Sequence, residues 1–249
     1  MSTPVRTVRV DAPLGEAYSV LCERAMSCLA VVDRANAPVG VISRTDLLRV
    51  GRLLESRSGR MPLLDFADQK AADVMHKGVV SVGPDATVGE AAARMVHDHI
   101  HRVFVGSDKH LDGVFSTKDV MHVVNAARIG RAISDFMSAP VITVGALETI
   151  ATATDRLASA NVAGLVVVDQ NDKPIGVFTQ LEALQARTMP AATPVEDAMS
   201  YAMVCLDVTT PMYRAAAHAA ATRARRVIAV EHRRVWGILT GIDFARAVV

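Results

Sequence analysis

A short motif occurs four times along the chain, and this repetition constrains the fold more than any other feature. It reads GVISRTD at 40–46, GVFSTKD at 113–119, GVFTQLE at 176–182 and GILTGID at 237–243. The glycines that begin these motifs lie 61 to 73 residues apart. Such a period indicates that the chain is built from four copies of one supersecondary unit. Four copies of about sixty residues fill the whole sequence of 249 residues.

Each repeat has the same predicted order of elements, β-α-β-β-α. In the third repeat a short β-rich run at 141–144 precedes an amphipathic stretch at 149–160, and two apolar runs at 165–168 and 175–178 follow. A turn-forming DQNDKP segment separates those two runs. A second helix is predicted directly after each motif, for instance over 45–54. The sequence therefore predicts a mixed α/β (α+β) fold.

The repeats are expected to associate in pairs, because one repeat alone exposes an apolar sheet face that its two helices cannot cover. We predict a first pair over 1–127, with repeats at about 1–70 and 71–127, and a second pair over 128–249, with repeats at about 128–190 and 191–249. Segment 55–70 is predicted to be a looser insertion within the first pair.

Composition excludes several classes of protein. Hydrophobic residues make up 51% of the chain, which is enough for a buried core, and 27 basic against 26 acidic residues leave a net charge of only +1. No global basic field therefore favours nucleic acid or an acidic membrane. The sequence has neither a signal peptide nor an apolar run of the roughly 20 residues that a membrane helix needs. We expect a soluble, cytoplasmic protein.

Cysteine and histidine spacing predicts no metal site. The three cysteines have no CxxC spacing, so we expect buried free thiols in a reducing compartment. His97, His99 and His101 alternate, but they span a helix end and a strand start and need not converge.

The hydroxyl and acid of each motif suit a nucleotide. Ser43, Ser116, Thr179 and Thr240 occupy the predicted strand-to-helix junctions, where free backbone N–H groups and the helix dipole favour phosphate. Asp46, Asp119 and Asp243 follow one turn later, where a carboxylate can accept hydrogen bonds from ribose hydroxyls. The alternative is a capping box, in which both side chains satisfy backbone donors of their own helix. Glu182, which is longer than aspartate, favours capping in the third repeat.

Basic side chains that would meet phosphates occur in the second and fourth repeats. The candidates are His101, Arg102, Lys118, Arg225 and Arg226. Repeats one and three have the uncharged residues Ser27-Cys28 and Ala163-Gly164 at the position of His101-Arg102. One basic and one neutral repeat in each pair favours one well-bound nucleotide per pair.

The repeated unit resembles the cystathionine-β-synthase (CBS) domain. The resemblance rests on the four motifs and on D-h-M lead-ins at 73–75, 135–137 and 197–199, which the first repeat lacks. It implies two tandem (Bateman) modules that bind adenosine-containing ligands in the clefts between repeats and regulate another protein. The IHRVFV run at 100–105 is similar to the corresponding run of AMP-activated kinase γ subunits, which implies a phosphate contact for His101 and Arg102.

We therefore predict a regulatory energy sensor that binds AMP, ADP or ATP, forms a homodimer and acts on an unidentified protein partner. The alternatives are a ligand-free oligomerisation or scaffold module, and an S-adenosylmethionine-binding module. We predict no catalytic residues and no enzyme activity, since the sequence has no paired carboxylates, GxSxG, Walker loop or Cys–His arrangement.

Overall fold

The structure, a computed structural model, describes residues 1–23, 26–55, 63–107, 109–160 and 162–249. The fold is mixed α/β, as predicted. The first repeat contains β1 (Thr7–Arg9), α1 (Leu14–Glu23), β2 (Cys28–Val32), β3 (Pro38–Ser43), α2 (Arg44–Val50), β4 (Arg52–Glu55) and β5 (Leu63–Asp65). The second contains α3 (Ala71–Val74), β6 (His76–Lys77), β7 (Ser81–Val82), α4 (Val88–His97), β8 (Arg102–Gly106), β9 (Leu111–Ser116) and α5 (Thr117–Ala126).

The second half of the chain repeats this order. A 3₁₀ turn at Ile133–Asp135 precedes β10 (Thr143–Gly145), α6 (Ile150–Ser159), β11 (Gly164–Val168), β12 (Pro174–Thr179), α7 (Gln180–Gln185) and a 3₁₀ turn at Ala186–Thr188. A 3₁₀ turn at Val195–Asp197 then leads to β13 (Cys205–Asp207), α8 (Met212–Thr222), β14 (Arg226–Glu231), β15 (Arg234–Thr240) and α9 (Gly241–Arg246). In repeats one, three and four the first strand is parallel to the second, and the second is antiparallel to the third.

The predicted helix over 45–54 was wrong at its C-terminal end. Helix α2 stops at Val50, Gly51 adopts an extended conformation, and β4 pairs antiparallel with β5. The chain turns here because Gly51 is packed closely: a side-chain carbon on it would lie 2.7 Å from Leu64 Cδ1 and 3.0 Å from Phe66 Cε1. The predicted insertion over 55–70 thus contributes the strand β5, and its residues 56–62 lie outside the described residues.

The chain divides into two compact units. The first consists of Met1–Asp85 and Val103–Phe115, and the second of Ala86–Arg102 and Ser116–Val249. The predicted division into pairs at residue 127 stays a prediction.

Within each compact unit, neighbouring repeats exchange short segments. In the second unit Ser138 pairs with Ile238 of β15, and Ser200 pairs with Val177 of β12. In the first unit the corresponding bridges are Ser2 with Val114 and His76 with Val41. Each lead-in therefore adds to the edge of the last strand of the neighbouring repeat. Shared apolar clusters lie beneath these edges: Cys28, Ala30 and Phe104 in the first unit, and Val166, Val168 and Ile228 in the second.

The motif glycines are needed because a methionine from the neighbouring repeat packs against each of them. A side-chain carbon on Gly176 would lie 2.5 Å from Met199 Sδ and 3.0 Å from the backbone oxygen of Ser200. The same arrangement joins Gly40 to Met75, Gly237 to Met137 and Gly113 to Met1. Three of these methionines end a D-h-M lead-in, and Met1 takes that place for the first repeat. The lead-in methionine of one repeat and the motif glycine of its neighbour thus pack directly against each other.

Gly176→Ala is expected to lower the free energy of unfolding by about 1–2 kcal/mol, since an added methyl group overpacks this contact. Denaturant unfolding measures the change, with Gly83→Ala as the matched control, because a side chain at Gly83 meets nothing within 4 Å. The double variant Gly176→Ala/Met199→Ala should regain part of the loss. Equal effects at positions 83 and 176 would contradict the packing argument.

Alanine-rich helix faces pack closely in the second compact unit. Helix α8 packs against α5, and its Ala215, Ala216 and Ala219 are buried. Helix α9 packs against both α4 and α5. The helices of the second repeat therefore contact the helices of the fourth.

The three cysteines are free, but their burial differs from the prediction. Cys28 is buried, Cys22 is half-buried and Cys205 is exposed. Cys205 begins β13, and its burial pattern shows that its side chain lies on the open face of this strand. None of the helices in the described part of the chain has both the length and the apolar character needed to cross a bilayer.

Candidate functional site

Each motif hydroxyl lies at the junction of a strand and a helix, as the sequence predicts. Ser43, Ser116, Thr179 and Thr240 end β3, β9, β12 and β15 and are the N-cap residues of α2, α5, α7 and α9. The backbone at each of these residues is extended. The four junctions are therefore equivalent positions of the four repeats.

Every motif acid caps its own helix in this structure. The N-cap N–H donates to Asp46, Asp119, Glu182 or Asp243 at 2.6–3.0 Å, and the N-cap hydroxyl donates to the same carboxylate oxygen. The capping box is thus present at all four motifs. A contact of these hydroxyls and acids with a nucleotide stays a prediction.

Asp46 and Asp243 each have a second carboxylate oxygen in contact with residues that the sequence analysis missed. Asp46 Oδ1 lies 3.1 Å from His76 Nε2. Asp243 Oδ1 accepts a hydrogen bond from Arg246 Nη1 at 2.9 Å and lies 3.5 Å from Ser138 Oγ. His76 and Ser138 both come directly after the methionine of a D-h-M lead-in. That position was the sequence signal that could have identified them.

The N-termini of α5 and α9 meet in the second compact unit. Thr117, the first residue of α5, is buried, and a side-chain carbon on Gly241, the first residue of α9, would lie 2.6 Å from Thr117 Cβ. The backbone N–H of Thr117 donates to the carbonyl oxygen of His101 at 3.0 Å. Glycine at 241 allows this close approach, and it places the positive ends of two helix dipoles side by side.

Basic residues of the second and fourth repeats gather around this junction. Loss of surrounding water lowers the pKa of His101, and the positive charges of Arg102, Arg226 and Arg225 lower it further. Asp243 acts on the same imidazole in the opposite direction. The His101 side chain keeps access to solvent. His101, Arg102, Arg225 and Arg226 are called the cationic cluster below.

The cationic cluster combines basic residues of two repeats. Arg225 and Arg226 of repeat four lie close enough to His101 of repeat two to act on its imidazole. The expected single nucleotide per pair stays a prediction. Lys118 is exposed at the second position of α5, and its phosphate contact stays a prediction.

Arg226 reaches from the fourth repeat onto the third. It lies opposite Thr240 in the β14–β15 ladder, and Gly164 lies opposite Thr179 at the same place in the β11–β12 ladder. A side-chain carbon on Gly164 would lie 3.4 Å from Arg226 Cζ. The neutral repeat therefore provides the space that the arginine of the basic repeat occupies.

Two guanidinium groups of the cluster have no direct counter-charge. Within the described part of the chain, neither the Arg102 nor the Arg226 side chain forms a hydrogen bond or an ion pair, and both residues are half-buried. Burial lowers the pKa of Arg226, while the negative charge of Glu182 raises it. A half-buried cation without a partner is costly unless an anion completes it.

The histidines 97, 99 and 101 do not form a metal cluster. His97 Nδ1 contacts Asp98 Oδ1 at 2.7 Å, and His101 belongs to the cationic cluster. No three His, Cys, Asp or Glu side chains among the described residues lie together as a metal ion requires. That the protein binds no metal stays a prediction.

A cavity of about 300 Å³ lies at the other end of the third repeat. Gly145, Ala146, Leu147, Glu148, Val168, Asp169 and Gln170 line it. Glu148 pairs there with Arg156 at 2.8 Å, and Asp169 caps its own turn. Because Val168 and Gly164 are opposite ends of β11, this cavity is separate from the cationic cluster.

Two curated relatives share part of this chain. Subunit gamma-3 of 5'-AMP-activated protein kinase from Sus scrofa is 30% identical over 114 residues, which are 45% of this chain and 22% of that protein. The uncharacterized protein MJ1232 of Methanocaldococcus jannaschii is 31% identical over 116 residues, 47% of this chain and 38% of that protein. The chain thus spans less than half the length of either relative.

Family and fold comparisons cover more of the chain. The crystal structure of protein MJ1225 from Methanocaldococcus jannaschii has a TM-score of 0.81 and 16% identity, and the match covers 100% of this chain and 98% of that one. It shows a shared fold. The CBS domain model matches residues 1–52, 71–126 and 133–188, which is well over half of the sequence. The chain therefore belongs to the CBS domain family.

Proposed function

We propose that this protein is a regulatory sensor that binds an adenine nucleotide (AMP, ADP or ATP), with the phosphates held by the cationic cluster. The nucleotide's binding state would be transmitted to a partner protein, and the cluster has no catalytic role in this proposal. The proposal treats residues 191–249 as a fourth CBS repeat, because they have the same order of elements as the three that the family model matches. It includes two tandem modules.

The observation that carries the proposal is that no hydrogen bond or ion pair from any described residue reaches the guanidinium groups of Arg102 and Arg226. These half-buried guanidinium groups, the adjacent His101 imidazole and two helix N-termini are the donor set that a phosphate chain requires. The relative from Sus scrofa adds support, because its name describes a subunit of a kinase that 5'-AMP activates. In our proposal Asp243, which acts on the His101 imidazole of the cluster, would also turn one carboxylate oxygen toward the ribose.

The charge of the cluster selects among adenosine ligands. S-adenosylmethionine carries a sulfonium and an ammonium group against one carboxylate, so the cationic cluster repels it. ATP and ADP carry more negative charge than AMP and should bind more tightly at low salt, where screening is weakest.

Isothermal titration calorimetry with ATP, ADP, AMP, adenosine and S-adenosylmethionine tests the proposed function. We expect binding in the order ATP, ADP, AMP, with adenosine and S-adenosylmethionine far weaker, and a loss of affinity for the nucleotides as salt rises. Silence from all five ligands at protein concentrations that reveal micromolar binding would overturn the proposal. Tight binding of S-adenosylmethionine alone would overturn its charge argument.

A second candidate function is a ligand-free assembly module. The four capping boxes support it, because each motif already has a structural use within its own helix. If the protein is a ligand-free assembly module, light scattering should show the same oligomer with and without ATP, and calorimetry should give no signal.

In the sensor proposal the protein is a homodimer located in the cytoplasm, and nucleotide binding changes the surface that its partner contacts.

Nucleotide affinity is expected to rise as pH falls through the titration of His101. Burial and the three arginines lower the pKa of this imidazole in the free protein. A bound phosphate offsets the arginine charges and stabilises the imidazolium, so the pKa is higher in the complex and binding takes up a proton. Affinity should therefore increase by about threefold to tenfold toward the acidic side of neutrality.

Calorimetry in two buffers of different ionisation enthalpy measures this proton uptake. His101→Gln is the control, because protonation of the nucleotide itself remains in that variant. Identical proton uptake by the wild type and His101→Gln would contradict a role for His101.

A further inference from the structure

We propose that Glu182 of the third repeat is an internal competitor of the nucleotide phosphates, which it opposes by attracting Arg226 toward the third repeat in the free protein. This inference rests on the proposed function, because it concerns the regulation of the same cationic cluster. It assigns a role to the one motif acid that is a glutamate.

The position of Arg226 is the first step. Its guanidinium lies against Gly164, and the same point above Gly164 is 3.0 Å from Thr179 Cγ2 and 3.4 Å from Arg226 Cζ. Arg226 therefore lies beside Thr179, the N-cap residue of α7. Arg226 of the fourth repeat thus lies next to the motif of the third repeat.

The position of Glu182 is the second step. Its Oε2 accepts the N–H of Thr179 at 3.0 Å, which fixes the carboxylate at the start of α7, next to the place that Arg226 occupies. The negative charge of Glu182 acts on Arg226 from there. Among the described residues no hydrogen bond or ion pair joins the two side chains, so the attraction has no directional contact to break.

Competition follows from these two positions. The Arg226 side chain lies beside Thr179 at the start of α7, and its backbone pairs with Thr240, the residue before Gly241 at the helix junction. Among the described residues it has no direct counter-ion at either place. A phosphate chain at the junction carries more charge than one carboxylate, and its oxygens accept direct, charge-assisted hydrogen bonds from the guanidinium group. Nucleotide binding therefore draws the Arg226 guanidinium group away from Glu182 and toward the phosphates.

The regulatory consequence is located in the third repeat. When Arg226 turns to the phosphates, the start of α7 loses its nearby positive charge, although its capping box stays intact. Helix α7 packs against β12 and α6. The third repeat, which has uncharged residues where repeats two and four have basic ones, thus becomes the part of the second unit that responds to occupancy of the cluster.

Glu182→Gln tests the competition without removing the cap, because glutamine is also a capping-box residue. We expect ATP and inorganic pyrophosphate to bind Glu182→Gln about threefold to tenfold more tightly than the wild type at low salt, since one opposing charge is gone. Asp155→Asn is the matched control: it removes one acidic charge from an exposed position of α6 in the same compact unit. Unchanged affinity in Glu182→Gln, or an equal gain in Asp155→Asn, would overturn the competition while nucleotide binding by the wild type stands.

A ligand-free measurement separates this inference from the proposed function. Thermal unfolding of the wild type, Glu182→Gln, Arg226→Gln and the double variant forms a double-mutant cycle. We expect the two substitutions to be non-additive, with the effect of Glu182→Gln largely absent when Arg226 is already replaced. If neither probe binds any variant, the proposed function fails. Additive shifts in the melting temperature would instead overturn the Glu182–Arg226 interaction itself.

Discussion

Replacing Arg225 and Arg226 together by glutamine is expected to weaken ATP binding at least about 100-fold, or about 2.7 kcal/mol. Hydrogen bonds that involve a charged group contribute about 1.5–3 kcal/mol each, and no described residue forms a hydrogen bond or an ion pair with the half-buried Arg226 side chain once the ligand leaves. Calorimetry at fixed ionic strength measures the loss. The dependence of the binding constant on salt should also become weaker, because fewer charges remain to be screened.

Arg233→Gln/Arg234→Gln is the matched control for this prediction. It removes the same two charges from the same repeat, at exposed positions in and beside the turn between β14 and β15. The affinity of this control variant for ATP should stay within about threefold of the wild type, because exposed charges that do not contact the ligand contribute little to binding. An equal loss in both double variants would assign the effect to net charge, and full affinity without Arg225 and Arg226 would contradict a phosphate site at the cluster.

The repeat made most of the fold predictable from sequence. The strand and helix order was readable because hydrophobic spacing and turn residues recur in four copies, so that a weak signal in one copy is supported by the others. The error at 45–54 arose where the first repeat departs from the rest. Apolar residues on both sides of Gly51 are compatible with a continuing helix. The helix ends because Gly51 packs closely against Leu64 and Phe66. These two residues follow Gly51 by more than ten positions in the sequence, so the helical pattern around Gly51 does not include them.

The site was predictable only within a repeat. Local patterns placed Thr240 and Asp243 at a helix start, because a capping box is defined by residues three apart. The meeting of His101 with Arg226 depends on how α5 packs against α8 and α9, and no local pattern contains that information. The role of Gly164 could not be predicted either. Glycine is needed at this position because the Arg226 side chain occupies the space next to it, and the sequence does not show that the two residues are neighbours.

Asp243→Ala is expected to lower the free energy of unfolding by about 3 kcal/mol. Asp243 is 1% exposed, and its carboxylate accepts hydrogen bonds from the Thr240 N–H and hydroxyl and from Arg246. Loss of a helix cap costs about 1 kcal/mol, and buried donors left without a partner cost about 1–3 kcal/mol more. The contribution from Arg246 is small, because its side chain is 44% exposed and water can replace the carboxylate. Denaturant unfolding without ligand measures the change.

Asp243→Asn separates the structural use of this acid from its proposed use with ribose. The amide oxygen of asparagine can still accept the Thr240 N–H, so this variant should lose only about 1 kcal/mol of stability. A carboxylate that also accepts ribose hydroxyls would leave a further mark: ATP affinity of the folded Asp243→Asn protein would fall about tenfold, or about 1.4 kcal/mol. Wild-type affinity in this variant would assign Asp243 to its helix alone and would leave the phosphate cluster to hold the nucleotide without the motif acid. A stability loss in Asp243→Ala no larger than that of the exposed control Asp155→Ala would contradict the capping role instead.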